Sequence, residues 1–274
     1  MNESWERTVA VAQRAFDATL RSRALLAVAA GYAFVVLALA WTTRGSGYLS
    51  LSLSVLTPLE VLVPVVAFAV GYRSILDDRL RGELAVFRTY PLSARSYVLG
   101  VFLGRLATVL MVVLVPLLIA GGSVLAFREE SISVLATHAT ADSPLVYLRL
   151  VVLTAVFAPV ALAVAIAVSA IARTTRNAIG LAIGGVVILV VGLDLGFVAG
   201  LAGGVVPPEA LSTLSAVSPL SAFRGLVLEV AIGPVAGDTI AGGVEPLAAL
   251  LGLVGWTAGA LAVAIHWVYR PGPP

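Results

Sequence analysis

Cysteine and lysine are absent from this sequence, and charged residues of any kind are scarce. Without cysteine the chain can form neither disulfides nor thiolate-based metal or iron–sulfur sites. Without lysine it cannot complete a G-x-x-x-x-G-K-[ST] phosphate-binding loop or form the Schiff base of a lysine-dependent enzyme. Charged residues make up 12% of the 274 positions, about half of the roughly 25% found in soluble domains. A water-soluble globular protein is therefore nearly excluded.

Histidine and methionine are almost as rare. The histidines are His138 and His266, and the methionines are Met1 and Met111. No two of them have the spacing of metal ligands, so we expect neither a metal site nor a stepwise copper path in this chain. The motifs G-x-S-x-G and H-E-x-x-H are also missing. We therefore predict no catalytic residues, and an intramembrane hydrolase is a weak alternative.

The apolar residues, 60% of the chain, occur in long blocks, and the mean hydropathy is +1.05. A helix needs about 20 such residues to cross roughly 30 Å of hydrocarbon. The sequence therefore predicts an all-α, polytopic membrane protein in which residues 1–274 form a single transmembrane domain. The six predicted spans are 24–41, 51–71, 97–120, 145–171, 178–200 and 247–268.

All 17 basic residues are arginines, and they are distributed unevenly between the loops. With six crossings, twelve lie on one side, the arginine-rich side: Arg7, Arg14, Arg21, Arg23, Arg73, Arg79, Arg81, Arg88, Arg95, Arg173, Arg176 and Arg270. The opposite side has four: Arg44, Arg128, Arg149 and Arg224. The positive-inside rule then places both termini in the cytoplasm and the chain in the cell membrane. Because the arginines flank apolar blocks, the lipid bilayer explains the pI of about 9.2 better than a nucleic acid does.

The N-terminal segment 1–23 has an amphipathic pattern. Apolar residues recur at steps of three and four: Trp5, Val9, Ala12, Phe16 and Leu20. Such a helix lies in the headgroup plane, with its arginines toward anionic lipid. Its simplest role is to anchor the chain and to steer the first span.

The predicted outer loop 201–246 is too apolar for a solvated linker. Ser218-Pro219 supplies an N-cap and a proline at the first helical position, and Gly233-Pro234 supplies a stop. We predict a short helix at 219–231 that lies at the outer interface or re-enters the membrane, and an ordered helix without a function is an equal alternative.

Segment 72–95, between spans two and three, combines charge with an apolar stripe. It has five arginines and three acidic residues, and its stripe at helical spacing consists of Ile75, Leu76, Leu80, Leu84 and Phe87. Such a helix is suited to docking, because the stripe can rest on the underside of the membrane domain or enter the groove of a partner. Pro91 ends this helix. The plainer alternative is a solvated, positively charged loop.

Several motifs in this order resemble ABC transporter type 2 permeases. They are Asp78-Arg79-Leu80-Arg81-Gly82-Glu83-Leu84, Tyr90-Pro91-Leu92-Ser93-Ala94-Arg95 and Leu99-Gly100-Val101-Phe102-Leu103-Gly104-Arg105. The turn at 170–178 also resembles that family, and Ser218-Pro219-Leu220-Ser221-Ala222-Phe223-Arg224 resembles its NosY-like, copper-enzyme-maturation branch. Glu83 and Ser218 depart from the family pattern, which often has Thr and Asn there. With the six spans, the resemblance covers essentially the whole chain.

This resemblance implies a homodimeric permease driven by a separate cytoplasmic ABC ATPase, which would hold the ATP and Mg²⁺. This chain would then need no cofactor. The helix around 75–90 would be the coupling helix. The expected partner-coupling residues are Asp77, Asp78, Arg79, Arg81, Gly82, Glu83, Pro91 and Arg95. The resemblance also points to a dimer seam near spans one and five and to an extracytoplasmic accessory protein.

Two acidic residues lie within the predicted spans. Glu60 lies between two prolines in span two, and Asp194 lies in the outer half of span five. Ionisable residues at membrane depth are costly and are therefore candidates for function. They are expected either to line a translocation path or gate, or to pair with Arg149 or Arg224 or simply reach the outer interface. Arg105, in span three, is expected to reach the headgroups.

The sequence therefore favours the permease subunit of an ATP-driven transporter. A non-transporting membrane scaffold or assembly factor that recruits a cytoplasmic partner is the alternative, and a stand-alone secondary carrier is a third. The substrate is not encoded in any of these patterns.

Overall fold

The computed structural model describes residues 3–89, 92–126, 142–204, 217–236 and 244–270. The regular elements in these residues are helices. We number them α1 (Glu3–Leu20), α2 (Arg23–Thr42), α3 (Gly47–Gly71), α4 (Leu76–Leu80), α5 (Glu83–Thr89), α6 (Ala94–Ala126), α7 (Pro144–Ile171), α8 (Thr175–Val187), α9 (Leu193–Ala202), α10 (Pro219–Leu226), α11 (Gly233–Ala236) and α12 (Pro246–Val268). Two π-helical segments, Ile188–Gly192 and Val227–Ile232, join α8 to α9 and α10 to α11.

Six helical stretches of the described chain are long and apolar enough to cross a membrane, which confirms the predicted all-α, six-span architecture. The spans are α2, α3, α6, α7, the continuous α8–α9 stretch and α12. They extend the predicted segments by up to six residues at an end, most of all at the distal end of α6, which reaches Ala126.

The fourth span, α7, is the centre of the bundle. In the most apolar 18 residues of this span, 67% of the residues are buried inside the protein. The corresponding share in the fifth span is 11%. It packs against α3, α6 and α12, and its buried face is built mainly from alanine and branched aliphatic residues. Small side chains allow the close helix approach on which association in lipid depends. The fifth span is therefore the one with the least attachment to the rest of the chain.

The second span passes through Pro58 and Pro64 without losing its helical conformation. Each proline removes one backbone donor, which would be costly for an isolated helix. Pro64 is buried, and neighbouring helices surround this part of α3. Packing of this kind is what makes prolines tolerable in membrane spans.

The N-terminal helix α1 packs along the start of α6. A Cβ atom at Gly100 or Gly104 would overlap α1, at Val11 and at the carbonyl oxygen of Ala12 respectively. The two glycines have G-x-x-x-G spacing, which permits such close backbone approach. Trp5 and Leu20 stay exposed. The helix therefore keeps an apolar face for the bilayer while a different face joins the bundle.

The predicted short helix at 219–231 is present as α10 and the π-helical segment after it. Ser218 is the N-cap and accepts a hydrogen bond from Ser221 N at 3.4 Å, with Pro219 in the first turn. The sequence predicted that the helix stops at Gly233-Pro234. In the structure the helical conformation instead continues to Ala236. Pro234 has no N–H to offer the carbonyl of Val230, four residues earlier, and Arg149 Nη1 donates to that oxygen instead at 3.2 Å.

Candidate functional site

The segment between spans two and three folds back onto the bundle as two short helices, α4 and α5. The hydroxyl of Ser169, near the end of α7, accepts hydrogen bonds from the backbone N–H groups of Ile75 (3.0 Å) and Leu76 (3.1 Å). These are orphan donors at a helix start, so Ser169 caps α4 from another span. Gly82, with φ +76°, makes the turn into α5. A side chain rarely adopts this backbone conformation, so glycine suits this position.

Asp78 is the hub of a polar cluster beneath the bundle. Its side chain is 8% exposed. It accepts hydrogen bonds from Arg14 Nη2 of α1 (3.2 Å), from Arg81 Nη2 (2.7 Å) and from the hydroxyl of Tyr97 in α6 (2.7 Å). A buried carboxylate is stable only with such partners. Asp78 therefore joins α4 to the N-terminal helix and to the third span.

Glu83 extends this cluster to the surface. It pairs with Arg14 and, at 2.8 Å, with Arg81 Nε. Burial acts to lower the pKa of Arg81, but the hydrogen bond to Asp78 and the charges of Glu83 and Asp78 outweigh it and raise that pKa above its ordinary value. Arg14 also lies over the ring of Phe87, 5.2 Å from its centroid. The four charges thus hold α1, α4 and α5 in one arrangement.

Arg79 points the other way, into the ends of two spans. Its guanidinium donates to the carbonyl oxygens of Ala172 (2.6 Å) and Ala170 (2.8 Å), at the end of α7. It also reaches Trp267 O (3.4 Å) and Val268 O (3.3 Å), at the end of α12. The last carbonyls of a helix have no partner within it and favour a cation. Arg79 therefore clamps the fourth and sixth spans to α4.

The apolar stripe of this segment mostly rests on the protein itself. Ile75, Leu76 and Leu84 are buried. Leu80 and Val86 are instead exposed, at 53% and 55%. Leu80 and the half-exposed Arg81 precede the Gly82 turn and Val86 follows it, and we call these three exposed residues the tip surface. The sequence allowed the stripe to rest on the underside of the bundle or to enter the groove of a partner. In the structure every residue of the stripe except Leu80 packs on the underside of the bundle.

The remaining predicted coupling residues lie around this cluster. Asp77 pairs with Arg73 across one turn, at 2.8 Å. Arg95 is exposed in the first turn of α6. Pro91 lies outside the described residues. The structure thus brings Asp78, Arg81 and Glu83 together.

A second polar site lies inside the bundle, near the middle of α3. Glu60, whose side chain is 3% exposed, forms a two-pronged ion pair with Arg224 of α10, with Nε to Oε1 at 2.6 Å and Nη2 to Oε2. Glu60 is the fourteenth residue of α3, about 20 Å along the helix from its start. The ion pair therefore brings the Arg224 side chain of α10 to a level about halfway along α3. Of the two partners that the sequence offered, Arg224 is the observed one.

Among the described residues, Asp194 forms no ion pair with an arginine. Its Oδ1 accepts hydrogen bonds from the hydroxyls of Ser218 (2.6 Å) and Ser221 (2.8 Å), in the first turn of α10. The carboxylate thus fastens α10 to the fifth span, just after the π-helical segment there. In the described part of the chain, no three histidine, aspartate or glutamate side chains cluster as a metal site would require.

Comparison of the sequence with known proteins identifies a family of transporters. The family described as "ABC-2 family transporter protein" matches residues 14–270. The chain is 28% identical to "Probable ABC transporter permease protein NosY" of Pseudomonas aeruginosa over 284 aligned residues, which cover 96% of this chain and 98% of that protein. A protein of the same description from Stutzerimonas stutzeri is 27% identical over 112 residues, which cover 38% of this chain and 39% of that protein.

Proposed function

Because this chain belongs to the ABC-2 family of transporter proteins, and so is a membrane permease subunit, we propose that a separate ABC ATPase drives it through α4 and α5. ATP and Mg²⁺ belong to that ATPase. The arginine-rich side faces the cytoplasm in this proposal, as the positive-inside rule predicts for the cell membrane. Closure of the ATPase then moves the short helices, and the bundle follows between inward-facing and outward-facing forms.

The anchoring of α4 is the observation that carries this proposal. A coupling helix transmits force only if it cannot slide over the bundle. Asp78 and Arg79, adjacent in sequence, fasten α4 to α1, to the third span and to the ends of the fourth and sixth spans. A solvated loop needs none of these bonds.

We propose two roles for residues of this segment, and Leu80 and Val86 join the predicted coupling residues in the second. Asp78 and Arg79 bond to other parts of the chain, so we assign them to positioning α4. The tip surface of Leu80, Arg81 and Val86 is exposed, and we assign it to contact with the ATPase. An exposed apolar pair beside a charged residue is typical of an interface in which the apolar groups provide affinity and the charge provides orientation.

Two parts of the proposal rest on the resemblance to NosY-like permeases. A second copy of the chain would complete the transporter, with the weakly packed fifth span near the seam. The transporter would serve the maturation of an extracytoplasmic copper enzyme, together with an accessory protein outside the membrane. Deleting this gene would then lower the copper content of that enzyme, and equal copper content in the deletion strain would contradict this assignment.

Substitution of the tip surface tests the coupling. Val86→Asp places a carboxylate in the proposed interface, and Val217→Asp is the matched control, because Val217 is 49% exposed on the arginine-poor side. The chain is co-purified in lipid nanodiscs with its candidate ABC ATPase subunit, and retention of that subunit and ATP hydrolysis are measured. We expect Val86→Asp to weaken retention at least about tenfold, as loss of a central interface contact does, and Val217→Asp to leave it unchanged.

The outcome also separates the alternatives. Equal retention of both variants would refute the assigned surface. Retention of the ATPase by the unaltered chain, without hydrolysis that responds to the chain, would favour the membrane scaffold. Transport driven by an ion gradient with no ATPase bound would favour the secondary carrier.

A further inference from the structure

A cavity of about 470 Å³ opens between α1, α2, α3 and α6, on the arginine-rich side. This volume lies within the range of small-ligand sites. The cavity shares Arg81 with the tip surface, and its lining contains neither Leu80 and Val86 nor the Glu60–Arg224 pair. Its walls combine charged groups of α1, α4 and α6 with aliphatic side chains of the spans.

Four arginines line the charged part of this cavity: Arg14, Arg73, Arg81 and Arg105. Asp77 and Asp78 are the acidic residues in the same lining. The carboxylates hold Arg73, Arg14 and Arg81, the last two with help from Glu83. Arg105 has no such carboxylate partner in the described chain, so positive charge is in excess.

Arg105 is the least satisfied group in the cavity. Its Nη1 donates to the carbonyl oxygen of Val70 at 3.2 Å. Its Nε is buried and has no hydrogen-bond acceptor among the described residues. A buried donor without an acceptor costs free energy, and a cation costs more. An anion in the cavity that accepts a hydrogen bond from the guanidinium would offset the cost of the buried cation. The sequence predicted that the Arg105 side chain extends to the lipid headgroups. In the structure its guanidinium stays within the bundle, so a headgroup would have to enter the cavity to contact it.

The start of α2 adds to the attraction for an anion. Ser22, its N-cap, and the first-turn residues Ala24 and Leu25 line the cavity. The N-terminus of a 20-residue helix carries a partial positive charge and favours anions such as phosphate. This contribution supports Arg105 but would not define a site alone.

Most of the rest of the lining is apolar, although Thr19, Tyr72 and Ser74 also contribute to it. Leu25, Val28 and Val101 form the apolar part together with small residues. Apolar walls do not stabilise free phosphate, whereas they can pack against the acyl chains of a phospholipid. We propose that this cavity binds the phosphate headgroup of an anionic phospholipid from the arginine-rich leaflet, with Arg105 donating to a phosphate oxygen. Basic cavities between spans on this side are known to suit such headgroups.

The test measures lipid binding to the purified full chain. Native mass spectrometry counts bound lipid after titration with phosphatidylglycerol or with phosphatidylcholine, and inorganic phosphate is added as a competitor. Arg105→Gln removes the charge. Arg149→Gln is the matched control, because Arg149 also donates from Nη1 to a backbone carbonyl at 3.2 Å, on the opposite side. We expect Arg105→Gln to weaken phosphatidylglycerol binding about tenfold or more, and Arg149→Gln to leave it unchanged.

A second variant guards against loss of folding. Ala18 is exposed on α1 and lines the cavity, so Ala18→Phe fills the space and keeps every charge. We expect it to weaken phosphatidylglycerol binding as well. Equal binding of the two lipids, or equal loss in Arg105→Gln and Arg149→Gln, would overturn the proposal. Full displacement by millimolar inorganic phosphate would instead identify a soluble anion as the occupant and would overturn the lipid assignment.

Discussion

The ion pair between Glu60 and Arg224 should behave asymmetrically when either partner is removed. The Glu60 side chain is 3% exposed, whereas that of Arg224 is 50% exposed. Arg224→Gln leaves a buried carboxylate without its partner. Glu60→Gln leaves a cation that can turn toward more polar surroundings. The two single substitutions therefore remove the same contact but leave different groups unpaired.

The magnitudes follow from this difference. Loss of one partner from a buried pair costs about 3–5 kcal/mol, which is our expectation for Arg224→Gln. For Glu60→Gln we expect about 1–3 kcal/mol, the cost of an unsatisfied but reachable polar group. The double variant buries no charge, so it should be more stable than Arg224→Gln alone. The expected coupling energy is about 2 kcal/mol.

Unfolding of the purified chain by SDS in detergent micelles, followed by the fluorescence of its four tryptophans, measures these free energies. Arg44→Gln is the control for loss of charge on the same side, because Arg44 stacks on Trp41, 4.1 Å from its ring centroid, and is not paired with Glu60. Its effect should add to that of Glu60→Gln within about 0.5 kcal/mol. Additive effects of Glu60→Gln and Arg224→Gln would refute the pair.

Three other substitutions have directions set by the structure, and the same titration measures them. Gly104→Ala should cost about 1–3 kcal/mol because its Cβ would overlap α1, whereas Gly122→Ala, with open space at that position, should be neutral or stabilise by up to about 1 kcal/mol. Ser169→Ala removes the cap of α4 and should cost about 0.5–2 kcal/mol, with faster amide exchange at residues 75 and 76 as its local signature. Arg79→Gln should cost about 1–3 kcal/mol. Its control, Arg173→Gln, loses one exposed hydrogen bond to a carbonyl and should change the stability by no more than about 0.5 kcal/mol. Equal effects of the two substitutions would argue against the clamp.

The spans were predictable because a single physical requirement determines them. Each must supply about 20 apolar residues in a row, and this property is local in sequence. The start of α10 was predictable for a similar reason, since an N-cap serine followed by proline acts on the next turn alone. The end of this helical stretch was not predictable. Pro234 cannot donate to the carbonyl of Val230, and Arg149 of another span donates to that carbonyl instead.

The polar clusters depend on distant residues, so the sequence identified their members better than their partners. Glu60 and Arg224 are 164 residues apart, and hydropathy could not choose between Arg224 and Arg149. The role of Arg14 was missed, because α1 was assigned to lipid alone. The G-x-x-x-G spacing of Gly100 and Gly104 was the available signal that another helix packs there.

The adjacency of Asp78 and Arg79 has a mechanical consequence. A torque applied to their short helix is shared at once by the N-terminal arm and three spans, so most of the subunit should tilt as a stiff block instead of shearing helix by helix. The fifth span, with little buried surface and a π-helical stretch at its middle, is the compliant member against which such a block can pivot.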